Sequence, residues 1–92
     1  MIVRISGEGQ FEVPDHFLAD VNVLDATLED AVSAGDEPAF RSTLLSLLEQ
    51  VRAVGALVPD DVLLPSEAIL PAAGSSLAEV LAMLGDEGLI PG

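Results

Sequence analysis

Hydrophobic and polar positions change their period along the chain, and the changes divide it into elements. At the start, IVRIS at 2–6 is rich in branched residues and QFEV at 10–13 alternates, with Phe11 and Val13 on one face. Both read as strands, joined by the GEG of residues 7–9 as a hairpin turn. Pro14 stops the second strand, because proline cannot donate to a ladder. From residue 15 the period lengthens. Phe17, Val21, Leu24, Leu28 and Ala31 recur at steps of 4 and 3, the stripe of an amphipathic helix capped by Asp15 and ended by Gly35. Phe40, Leu44, Leu47, Val51 and Val54 repeat that stripe in a second helix, opened by Asp36 with Pro38 in its first turn and ended by Gly55. The short link between them predicts an antiparallel αα-hairpin.

Beyond Gly55 the pattern breaks up. PDDVLL at 59–64 and PSEAIL at 65–70 share one arrangement, and prolines at six-residue intervals exclude long regular structure. Two short extended pieces are expected, with 67–70 either a brief edge strand or a single helical turn. SSLAEVLAML at 75–84 reads as a third helix, with Ser76 and Glu79 as a capping box and Leu77, Val80, Leu81 and Leu84 as its apolar face. Gly85 ends it. Leu89 and Ile90 in the tail either dock on the core or leave the end free. The expected fold class is α+β in a single domain of residues 1–92: a β-hairpin, an αα-hairpin, a proline-punctuated extended segment with a possible third strand, and a short C-terminal helix.

The second helix carries one more row. Arg41, Leu45, Leu48 and Arg52 run beside its main stripe. Two readings stand. Either Leu45 and Leu48 pack under the β-hairpin, or the four residues form a protein-binding face with two leucines between two arginines.

Charge narrows the classes of partner. Sixteen acidic residues face three arginines, with no lysine, for a net charge of −13. Nucleic acids and anionic lipids are bound mainly through basic side chains, so direct contact with either is not expected. The acidity serves solubility or seeks a basic protein partner. Cysteine is absent, which excludes thiolate chemistry and favours a cytoplasmic location over a disulfide-stapled secreted domain. Glu8 and Glu12 interrupt any signal-like apolar segment.

Chemistry is hard to place on this chain. The glycine pair of GEG lacks the third glycine of a dinucleotide loop, Glu12 stands in its place, and Glu8 repels phosphate. A turn is therefore expected. The single histidine, His16, falls at a polar helix start and reads as a surface residue. Asp60–Asp61 and Asp86–Glu87 are adjacent pairs that diverge in most backbones, so no catalytic or metal-ligating residue and no cofactor is expected; weak divalent-cation binding stays open. Three aromatic residues, all phenylalanine, do not make a stacking platform for bases or sugars.

Three stretches together carry a likeness: MIVRISGEGQFEVPD, LDATLEDAVSAGDEPAFRSTLLSLLEQVR and DEGLIPG. They resemble the PspA-associated protein family, PspAA, along essentially the whole chain, most specifically at the two ends. The family occurs in actinobacteria and archaea, beside the genes for PspA, the phage shock protein that guards stressed membranes. The resemblance implies an accessory role with PspA, a coiled-coil protein, in the membrane-stress response, reached at the inner face of the membrane only through that partner. It implies no catalytic residue. Two other classes remain: an acidic nucleic-acid mimic of antitoxin type, and a small-molecule-binding domain.

Overall fold

A computed structural model of the protein describes residues 1–59, 61–62 and 64–83. Its elements in chain order are β1 (Ile2–Ile5), β2 (Gly9–Glu12), a 3₁₀ turn (Asp15–Phe17), α1 (Leu18–Ala34), α2 (Glu37–Val54), β3 (Ala56–Leu57), β4 (Ala68–Leu70) and α3 (Leu77–Met83). The architecture is α+β, with the strands in one sheet of order β3-β2-β1-β4.

The opening hairpin forms as its alternation predicts. β1 and β2 are antiparallel, with Val3 opposite Phe11 and Ile5 opposite Gly9. Ser6, Gly7 and Glu8 turn the chain, one residue earlier than expected, and Gly9 already belongs to β2. Gly7 and Gly9 have φ of 83° and 109°, a backbone region closed to most side chains, and the Glu8 N–H closes the turn on the Ile5 carbonyl at 2.9 Å. The glycines therefore bend the chain between two strands and do not open a helix.

The first helix begins differently from expectation. Asp15 does not cap it: the chain enters through the 3₁₀ turn, where the Phe17 N–H donates to the Pro14 carbonyl at 3.0 Å, and α1 starts at Leu18. The proline fixes an extended entry and the backbone itself closes the first turn, which leaves the Asp15 side chain free to lie 3.8 Å from the N-terminal ammonium. Gly35 ends α1 in the left-handed conformation, φ 68°. Asp36 caps α2 as expected, its Oδ1 accepting from the Ala39 N–H at 3.2 Å. The capping box of α3 is also present: the Glu79 N–H donates to Ser76 Oγ at 3.1 Å, and the Ser76 N–H lies 3.5 Å from Glu79 Oε1.

α1 and α2 form the helical hairpin, and their stripes meet the inner face of the sheet. Val3, Ile5, Phe11, Val13, Ala68 and Leu70 join Val21, Leu28, Phe40, Leu44, Leu47 and Val51 in one core. Among the described side chains of α3, Val80 is buried in that core, Leu77 packs at its margin, and Leu81 is exposed against expectation. A helix of two turns presents one narrow strip to a neighbour, and Leu81 falls off it. Leu84, Gly85, Asp86, Glu87, Leu89 and Ile90 lie outside the described residues, as does Asp60.

The proline-punctuated segment completes the sheet. Residues 68–70 are an edge strand, parallel to β1 with Arg4 in register with Ile69, while β3 adds to the other edge against β2. The link between the two edges crosses the outer face. Gln10 points there by alternation with Phe11, yet is only 6% exposed, because its Nε2 donates to the Leu64 carbonyl at 2.6 Å and to Ser66 Oγ at 2.7 Å. One glutamine thereby anchors the strap at Leu64 and Ser66.

Candidate functional site

The row Arg41, Leu45, Leu48 and Arg52 of α2 does not act as one surface. The wheel geometry of the helix sets these residues along the border between core and solvent, and tertiary packing sorts them. Leu48 is fully buried at 0% exposure and belongs to the core with the sheet residues. Leu45, one turn earlier, is 46% exposed. Of the two leucines expected to share one fate, one is core and the other surface.

The arginines divide in the same way. Arg52 reaches across to the turn of the β-hairpin, where its Nε and Nη2 donate to Glu8 Oε1 and Oε2 at 2.7 and 2.5 Å. This bidentate fork uses the two parallel donors of a guanidinium against both carboxylate oxygens. The hydrogen bonds to Arg52 hold the Glu8 carboxyl below its ordinary value of 4.5 and push Arg52 upward. The pair closes the turn onto the C-terminal half of α2, so Glu8, read from sequence as a residue that repels phosphate and interrupts an apolar segment, is a tertiary contact. No local pattern signals a partner 44 positions away. Arg41 is loosely held: its Nε lies 3.8 Å from Glu37 Oε2 one turn back, and both side chains are largely exposed. Exposed pairs of this kind hold a side chain weakly.

Arg41 and Leu45 thus remain on the surface of α2, one helical turn apart. They form a small cationic and apolar spot on a strongly acidic protein. Its chemistry is that of contact: a leucine to bury and a guanidinium for an acceptor. His16 is exposed, its ring 4.3 Å from that of Phe17. Asp25 is buried on the core side of α1, in line with Val21, Leu28 and Val32. Among the described residues no three His, Asp or Glu side chains gather closely enough to hold a metal ion. Among the same residues no helix is long and apolar enough to cross a membrane.

Comparison with known proteins gives one clear result. No match was found among curated proteins or among solved structures. The model of the PspA-associated protein family, PspAA, matches residues 1–92, and the chain therefore belongs to that family.

Proposed function

We propose that this protein is a non-enzymatic accessory of PspA that acts in the membrane-stress response through protein–protein contact. The observation that carries the reading is the family match over residues 1–92. The charge supports the route. A net charge of −13 opposes adsorption to anionic lipid, so the protein reaches the membrane from the cytoplasm through its partner. A coiled coil offers lengthwise rows of apolar and charged side chains, which a face of a helical hairpin can meet.

The contact reading now rests on two residues of the original four. Leu45 supplies apolar burial and Arg41 an ionic rim, while Leu48 and Arg52 support them from the core and the turn. Flotation with anionic vesicles tests the route. The protein stays at the bottom of the gradient alone and rises with the vesicles when PspA is present. Flotation without PspA contradicts the indirect route. A second reading, that of an acidic mimic for a basic nucleic-acid-binding protein, draws on the net charge; capture by such a protein together with failure to bind PspA would favour it.

A further inference from the structure

The sheet ends in a strand whose outer edge is set up for pairing. β4 is terminal in the order β3-β2-β1-β4. The Leu70 carbonyl accepts the Ser6 N–H at 3.0 Å and so faces β1. Backbone groups of successive residues in a strand point to opposite sides, while the N–H and C=O of one residue point the same way. Ile69 therefore turns both its N–H and its C=O away from β1, toward the side of β4 on which no strand among the described residues pairs with it. Its side chain, in register with Arg4, is 50% exposed. Glu67, two residues earlier, is exposed as well; its N–H donates to the Ile2 carbonyl at 2.8 Å and its Oε1 lies 3.4 Å from the Ile2 N–H, so it offers the edge its second carboxylate oxygen and no backbone donor. Pro65 and Pro71 bracket the stretch and confine any added strand to residues 66–70.

We infer that this edge receives an extended, basic segment of another protein by strand addition, centred on Ile69. The partner residue facing Ile69 exchanges two backbone hydrogen bonds with it, and its neighbours supply an apolar side chain for Ile69 and a lysine or arginine for Glu67. Charge selects this occupant over a second copy. Two copies each bring a net charge of −13, and a five-residue edge buries far less than the ~1,000 Å² of a specific dimer interface. Attraction of a basic strand to the acidic surface adds to the few backbone bonds that so short an edge provides. The inference concerns a different surface from Arg41 and Leu45 and does not depend on PspA.

The test is a titration of the full chain, uniformly ¹⁵N-labelled, with a blocked heptapeptide alternating lysine and valine. The expected result is saturable shifts centred on residues 66–70, with the Ile69 amide newly protected from exchange. Methylating the central peptide nitrogens removes the backbone donors but keeps charge and side chains, and should abolish the protection. Glu67→Lys should weaken binding about tenfold, in line with loss of a charge pair and gain of a repulsion. Ile69→Pro removes the outward N–H without touching the bonds to β1 and should weaken it similarly. Shifts spread over the acidic surface, or equal binding of the methylated peptide, would show charge attraction alone and overturn the inference. Ile69 already protected in the free protein, with concentration-dependent sedimentation, would mean that a second copy holds the edge and would also overturn it.

Discussion

The Glu8–Arg52 fork makes a prediction that can be worked through in numbers. The perturbation is a double-mutant cycle with Glu8→Gln and Arg52→Gln. Two unit charges about 4 Å apart attract by about 1 kcal/mol in water-like surroundings. The bidentate geometry strengthens this, while fixing the arginine side chain costs up to ~2 kcal/mol of rotamer freedom. Both side chains are about one-third exposed, at 37% and 34%, so solvent screens the pair substantially. The expected coupling is about 0.5–1 kcal/mol. For a domain of this length that corresponds to a shift of roughly 2–8 °C in Tm.

The single substitutions will not be symmetric. Glu8→Gln changes the net charge from −13 to −12 and relieves repulsion, whereas Arg52→Gln changes it to −14. The cycle cancels these whole-protein effects and leaves the pair. The dependence on pH has a fixed sign. Glu8 is held below its ordinary 4.5, so the coupling is complete above that value and is lost as pH falls through the folded-state value; Arg52 stays charged throughout. The chain has no tryptophan or tyrosine, so helical circular dichroism during urea unfolding is the readout. A coupling of zero at pH 7 in low salt, or one that grows as pH is lowered below 4.5, would refute the pair as a tertiary tie.

Three further outcomes follow from the packing and the charge. Leu48→Ala removes a fully buried side chain and should cost roughly 2–5 kcal/mol, whereas Leu45→Ala should cost less than about 1 kcal/mol; similar urea midpoints for both would contradict the division of the row. Gln10→Met keeps the volume but removes the donor to Leu64 and Ser66, and should cost roughly 1–3 kcal/mol; an unchanged midpoint would mean that the strap is held by other contacts. Crowded carboxylates repel in the compact state, so Tm should rise from very low salt to a few tenths molar sodium chloride; a fall would show that attractive pairs dominate.

What was legible in the sequence was what local rules govern. The hairpin turn, both helical stripes, the Gly35 and Gly55 stops and the caps at Asp36 and Ser76 follow from period and backbone preference. The segment from 56 to 70 was only half legible. Its prolines announce short extended pieces, but β3 consists of two residues, and the parallel pairing of β4 with β1 joins positions some 65 residues apart. Gln10 shows how a correct local reading can miss the outcome. Alternation sends it to the outer face, as observed, yet the strap then buries it. Asp15 failed as a cap because Pro14 and the backbone closed the turn first. The candidate site divided for a related reason. A helical period places Leu45 and Leu48 on the same flank, and only the position of the sheet decides which of them is covered. Arg52 found its partner through the fold, not along the helix.

The central claim is direct association with PspA, and a calorimetric titration of purified PspA with the folded protein tests it most directly. Saturable binding by the wild type, weakened about tenfold or more by Arg41→Glu with Leu45→Ser while the Glu8→Gln, Arg52→Gln protein still binds, is the predicted result. Absence of heat and of co-sedimentation at about 100 μM of the folded wild type, a level at which even a weak complex is populated, would contradict it.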